Sequence, residues 1–559
     1  MQKKQTILVV ASLLVVVLSV TLAYFTAQII GKGKDVSVTS ANLQIIFTDT
    51  DGSISGADIE PGWNDSKTFT VTNKNNEAYK YDIIIKDLVN TFVTEGYLQY
   101  KITSDNGGYN MEDYKDVPKS ETATDTILAY SASIDLGVTQ TYTIEFVYKN
   151  DENVDQSDDM GKTLSGKLFI TEGTIDPAMY AGYEKGTLGY QVLGNNTTRE
   201  VRTDFNGKFT KTNTETLFTS TESIAGSTPV DVYYFAGNVT NNWVKFGKYK
   251  TDYIKYRGYY SATEPSFVDY DTMDECTSAT RWNYNCTEYK LANAGDDMYW
   301  RIIRTNHDKS IRLLYFGTSL SSVYGHIGTS AFNISYDSPK YVGYKYGEDT
   351  SLNTIRNNTT DSTIKTYIDT WYKNNLTDYT KYLSEDAVYC NDRELASGQT
   401  YSTKNDFNFA SYERIYTNKQ PSYNCTNISD AFSVNNTSAK LNYPLALMTA
   451  DEMIYAGGKY KGYFDSNSYS WYNANSNGKS VTGSAQLWFM SPEFYKSSYP
   501  FVVNVMGAPF EDGTIVTREG LNLSLATRPV TSLKSCVKYS SGDGTPSNPY
   551  TILETETGC

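Results

Sequence analysis

The chain has 559 residues, 39% of them hydrophobic and 20% charged, with a formal net charge of −15. The length allows about three or four domains, and so acidic a chain repels phosphate backbones, which argues against nucleic-acid binding. Tyrosine is the anomaly, at 49 residues against two histidines; it suits strands and wet binding surfaces because a flat apolar ring carries a polar tip.

Lys3 and Lys4 precede a stretch without a charged side chain until Lys32, and Ile7 to Leu22 is almost wholly aliphatic. A basic start before such a run predicts a signal peptide or signal anchor over residues 1–31, with the body on the extracytoplasmic side. Thr21 and Ala23 have the spacing of a signal-peptidase site, so cleavage after Ala23 is the alternative to a membrane anchor.

Residues 33–173 read as a run of strands. Thr68-Phe69-Thr70-Val71-Thr72, Tyr79-Lys80-Tyr81-Asp82-Ile83, Thr141-Tyr142-Thr143-Ile144-Glu145-Phe146 and Gly166-Lys167-Leu168-Phe169-Ile170 alternate with period two, one face toward a core and one toward water. Pro61-Gly62 and Asn106-Gly107-Gly108 are turn clusters. Short strands between turns predict a β-sandwich. Residues 174–224, rich in Thr, Asn, Gly and Ser with weak periodicity, are expected to be a linker with some strand character.

Residues 225–559 read as an α+β body. Val232-Tyr233-Tyr234-Phe235 and Trp243-Val244-Lys245-Phe246 are strand-like, and Asn306-His307-Asp308-Lys309 joins Tyr299–Arg304 and Ile311–Tyr315 as a hairpin turn. Ile364, Tyr367, Ile368, Trp371 and Tyr372 form one apolar helical stripe, capped by Asp361 or Ser362. Thr449-Ala450-Asp451-Glu452 is a capping box, with Met453 and Ile454 facing inward and Gly457-Gly458 ending that helix. Strands over Leu487–Met490, Phe501–Val505 and Arg528–Val530 close the body.

Two resemblances accompany these patterns. The apolar leader ending Ala-Tyr-Phe-Thr-Ala, the strand Val38-Thr39-Ser40-Ala41-Asn42-Leu43-Gln44-Ile45, Glu60-Pro61-Gly62-Trp63 with its following strand, and Gly161-Lys162-Thr163-Leu164-Ser165-Gly166 resemble camelysin and TasA-type biofilm-fibre proteins of Gram-positive bacteria. That resemblance implies a jelly-roll-like sandwich, with strand-donating polymerisation in some members. No histidine precedes His307 and there is no H-E-x-x-H, so the protease activity described for some relatives is not expected. The Trp300–Arg304 strand, the Ser362…Trp371 helix, Leu447–Glu452 and Leu487–Pro492 with Arg528–Lys534 resemble an uncharacterised surface domain of gut Firmicutes. More distantly they are similar to C-type-lectin-like folds. In that family Phe246-Gly247 leads straight to the Trp300 strand; here residues 248–298 intervene and are expected to be a disulfide-pinned surface insertion.

The six cysteines are Cys276, Cys286, Cys390, Cys425, Cys536 and Cys559. An even count in an exported chain implies disulfides, among about 15 connectivities. The expected pairing is sequential, with Cys559 the thiol that would otherwise be free or intermolecular. Zinc fits poorly, because there is no C-x-x-C and neither His307 nor His326 is near a thiol in sequence. Both histidines read as surface or loop residues, and no catalytic constellation can be assembled. The acidic runs Asp49, Asp51, Asp58 and Asp151, Asp155, Asp158, Asp159 depart from the D-x-D-x-D-G calcium loop and read as solvated charges, so no cofactor is expected, calcium being the one candidate. Trp300, Trp371 and Trp488 sit in regular elements and read as core. Trp282, Tyr469, Trp471 and Tyr472 lie in polar loops and are the candidate ligand contacts.

The sequence therefore predicts a non-catalytic cell-surface protein for adhesion or ligand binding, a glycan among the candidates. It would be membrane-held or secreted, and its partner an extracellular, host or matrix component. A fibre or matrix subunit self-associating through the first sandwich is the alternative, and an extracellular hydrolase is a third.

Overall fold

The computed structural model describes residues 36–37, 43–47, 53–56, 59–74, 78–174, 176, 180–213, 215–262, 267–460, 471–482, 486–497, 502–508 and 520–559. The leader over 1–31, the Ala23 site and the loop acids Asp49, Asp51 and Asp58 lie outside them. The chain is mainly β and divides into two compact units, one to Pro177 and one from Ala178 to Cys559. Among the described residues no helix is long and apolar enough to cross a membrane.

The first unit holds a six-stranded and a four-stranded sheet, both antiparallel. Asn64–Asn73 shows why: from Lys67 onward every second residue is buried, and Thr139–Tyr148 alternates in the same way beside it. Phe69, Val71, Ile144 and Phe146 of the larger sheet share one apolar cluster with Ile83, Ile85 and Leu168 of the smaller. The second acidic run fastens this unit. Asp159 is buried and accepts from the Val93 N–H at 2.6 Å and the Tyr148 hydroxyl at 2.7 Å. Asp151 accepts from Tyr97 at 3.0 Å, and Asp155 from the Ser157 N–H at 3.0 Å. Among the described residues no group of three or more His, Cys, Asp or Glu is placed to hold a metal ion.

The second unit is built on a ten-stranded sheet around the hairpin Asp297–Thr305 and Ile311–Gly317. Pro529–Leu533 pairs with Ile311–Gly317 on one edge and with Leu445–Leu447 on the other. Pro529 is the first residue of its strand, where a missing N–H is tolerated. Trp300, Trp371 and Trp488 are core. Helix Thr363–Asn375 starts at Ser362, whose hydroxyl accepts from the Lys365 N–H. Ala450–Ala456 begins in the Thr449–Glu452 capping box and ends at Gly457 with φ 117°.

The stretch expected as a linker with some strand character, 174–224, carries regular structure from residue 187 onward. Helix Leu188–Asn195 buries Leu188, Val192 and Leu193, and strands Thr198–Glu200 and Thr216–Glu222 extend the ten-stranded sheet. Their anchor is ionic. Glu222 is 1% exposed and meets Arg304 at 2.8 Å; Arg304 also meets Glu452 at 3.1 Å, which meets Arg312 at 2.5 Å. Arg304 lies 4.4 Å from the centre of the Tyr423 ring.

The insertion folds as its own three-stranded antiparallel sheet, with Tyr253–Tyr259 central between Phe267–Tyr270 and Tyr284–Ala292. Arg257, buried between Phe267 and Tyr289, forms a two-pronged pair with Asp269 at 2.7 and 3.0 Å. The Asp269 N–H in turn donates to Thr329 at 2.8 Å, fastening the sheet to the body. The cysteines join in the three sequential pairs, Cys276–Cys286, Cys390–Cys425 and Cys536–Cys559. Such bonds persist in oxidising compartments.

Candidate functional site

Where the insertion sheet meets helix Thr363–Asn375 and loop 330–335, a cleft of about 590 Å³ opens. On the helix it is lined by Thr363, Thr366, Tyr367, Thr370, Trp371 and Asn374, whose spacing places them on one face. The single apolar stripe expected from sequence is divided. Ile364, Ile368 and Tyr372 are fully buried, whereas Tyr367 belongs to the neighbouring, hydroxyl-rich stripe. Opposite, Tyr253 and Lys255 project from one side of their strand, since alternate residues share a face.

Lys255 is the cleft's buried cation. Its Nζ is paired with Asp271 and lies 5.3 Å from the centre of the Tyr253 ring and 4.8 Å from that of Tyr367. Burial alone would lower its pKa; Tyr367 and Asp271 outweigh that and hold it above the usual lysine value. The Asp271 side chain is 72% exposed at the mouth. Asp361, the other lining carboxylate, pairs with Lys345 at 3.3 Å and Lys365 at 3.1 Å. The Tyr253 and Tyr367 hydroxyls both donate to the Ile327 carbonyl, at 2.6 and 2.7 Å. Burial pushes both phenols up, Tyr253 well above its ordinary value, so both keep their protons at neutral pH. On the rim Ile334 is 72% exposed.

Of the three aromatic contact candidates among the described residues, one is in reach of a ligand. Trp282 is half-buried at the tip of the insertion, its ring 5.7 Å from that of Tyr260, with Arg281 4.8 Å from the Tyr260 ring. Its backbone has φ +62°, a region bulky residues seldom enter, beside the Cys276–Cys286 bond. Trp471 and Tyr472, expected to be exposed, are 2% and 1% exposed. The Trp471 Nε1–H donates to the Phe235 carbonyl at 3.3 Å, and the Tyr472 carbonyl accepts from Arg528. Tyr469 lies outside the described residues.

The histidines also divide. His307 is in its hairpin turn, its N–H donating to Glu222 at 2.6 Å. His326, expected at the surface, is buried: Nδ1 accepts from the Gly328 N–H at 3.0 Å. Burial, then Arg257 and Arg528, push its pKa well below the ordinary value.

No protein-family model matches the chain. No curated protein matches it either. Among solved structures it is similar over a short stretch to a ruminal GH26 endo-β-1,4-mannanase, at 15% identity and a TM-score of 0.15. The match covers 27% of this chain and 29% of that one, and a likeness so slight carries no argument about fold or activity.

The cleft thus combines aromatic rings, hydroxyls and two lysine-paired carboxylates. Pockets of this size, with a few fixed polar groups among rings, bind small molecules or the ends of larger ones. Sequence patterning missed it because its inward strand face reads Tyr-Lys-Arg and its helix face is threonine-rich. The legible signal was the threonine repeat Thr363, Thr366, Thr370 at helical spacing.

Proposed function

We propose that the chain is a non-catalytic, extracytoplasmic surface protein that binds an extracellular ligand in this cleft. The cleft itself carries the reading: it lies where the insertion sheet meets the body, to which the Arg257–Asp269–Thr329 contacts fasten that sheet. Both lining carboxylates are committed to lysines, an arrangement that suits recognition rather than proton transfer. The three disulfides support the compartment. A jelly-roll-like sandwich for the first unit, a C-type-lectin-like second unit and a membrane-directing leader belong to the same proposal. The test is retention of the full chain on an array of immobilised glycans and mucins, beside a Thr370→Trp variant that fills the cleft from an exposed helix position. Binding by the parent and its loss in the variant, at unchanged thermal unfolding, supports the reading. Equal retention of both contradicts it.

A further inference from the structure

Resting on that reading, we infer that the cleft selects a neutral polyhydroxylated ligand, a pyranose or the end of a neutral oligosaccharide, and rejects anionic and amine-bearing ones. The selectivity starts from the direction of the hydrogens on six of its nine lining hydroxyls, the other three being Ser335, Tyr346 and Thr363. Ser330 donates to the Ala331 carbonyl at 2.9 Å, and Ser362 to Tyr344 at 2.8 Å. Thr366 donates to Ser362 at 3.1 Å, Thr370 to Thr366 at 2.8 Å, and Tyr253 and Tyr367 both donate to Ile327. A carbonyl oxygen only accepts, so all six hydrogens are spent on the main chain. A hydroxyl has one hydrogen and two lone pairs; what these oxygens retain is the capacity to accept, apart from Ser362, which is fully buried and already accepts from the Lys365 N–H.

Those acceptors call for a ligand that donates, while the buried Asn333 Nδ2 of the lining, a donor without a hydrogen-bond partner among the described residues, calls for one that also accepts, as a sugar hydroxyl does. A carboxylate, sulfate or phosphate brings acceptors of its own, and negative charge toward Asp271 and Asp361. An ammonium donates, but its natural seat between aromatic faces is filled by Lys255, against Tyr253 and Tyr367. Neither carboxylate is left unpaired to receive it. Sugar hydroxyls satisfy the acceptors without charge, and the half-buried Tyr253 and Tyr367 border the cleft beside them.

The experiment is saturation-transfer NMR on the full chain with methyl glycosides of glucose, galactose and mannose, the matching uronates, and the matching 2-amino sugars, at neutral pH and millimolar concentration. At least one neutral glycoside is expected to bind, with its uronate and its amine weaker by about tenfold or more, a difference of about 1.4 kcal/mol. Asp271→Asn, at an exposed position, unpairs Lys255 and should raise uronate binding selectively. A uronate or amine that binds the parent as tightly as its neutral counterpart overturns the inference while leaving the cleft as the site. Neutral binding that persists undiminished in Thr370→Trp overturns the cleft reading instead. Transfer to none of the probes counts against both.

Discussion

Replacing Glu222 by Gln tests whether residues 178–224 belong to the body of the second unit. The carboxylate is 1% exposed and faces Arg304 at 2.8 Å, and it accepts the His307 N–H at 2.6 Å. Its loss leaves Arg304 and Arg312 sharing Glu452 in a water-poor setting. Breaking one side of a buried ion pair costs about 3–5 kcal/mol. Glutamine keeps a neutral acceptor, so the low end, about 3 kcal/mol, is expected, or a fall of about 4 °C in the unfolding temperature of a unit this large. The effect has a pH signature. Burial alone would raise the Glu222 pKa, but Arg304, His307 and Arg312 over-compensate and hold it well below the usual carboxylate range. A carboxyl depressed in the fold stabilises above its unfolded value, about 4.3, and loses that contribution as pH falls toward the folded one. The gap between parent and variant should therefore be full at pH 7 and shrink steadily below about pH 4. Scanning calorimetry of the full chain at both pH values measures it. A shift below about 1 °C at pH 7 would refute the reasoning, since a solvated linker residue changes stability by no more than about 0.5 kcal/mol.

Further predictions concern the same unit. His326 is buried neutral between cationic neighbours, so its stabilising contribution is complete above the unfolded value near 6.5 and declines as pH drops, by at most about 1.4 kcal/mol per unit. Denaturant titrations between pH 7 and 5 should show that slope in the parent and a flatter one in His326→Gln; identical slopes count against it. At Gly258 an added Cβ would lie 2.0 Å from the Trp282 carbonyl oxygen and 2.8 Å from the Cys276 sulfur. Gly258→Ala should cost about 1–3 kcal/mol and lower hydrogen-exchange protection over Tyr253–Tyr259, while parent-like protection there would show that the tip yields freely.

What the sequence made legible was local. The Ser362 cap, the Thr449–Glu452 box, the Asn306–Lys309 turn and the core positions of Trp300 and Trp488 rest on contacts within a few residues or on plain burial of large rings. The sequential disulfides were legible for a related reason, each closing a short or medium loop. The rest failed where polar residues face inward. Glu222 and Arg202 hold segment 178–224 in place, yet patterning by apolar period discounts charged anchors; Arg202 donates to the Tyr455 carbonyl at 2.6 Å. Trp471 and Tyr472 sit in an Asn/Ser-rich stretch that reads as exposed loop, but the loop is pinned through Arg528 and Phe235. The cleft was hidden by the same rule, because Lys255 and Arg257 occupy positions that apolar residues would have marked as inward.

The most direct test is a crystal structure of the full chain with the best-bound neutral glycoside. The account predicts the sugar against Tyr367, with its hydroxyls donating to Thr366, Thr370 or the lining carboxylates. A ligand seated instead on the Tyr260–Trp282 tip, with the cleft holding solvent alone, would contradict it.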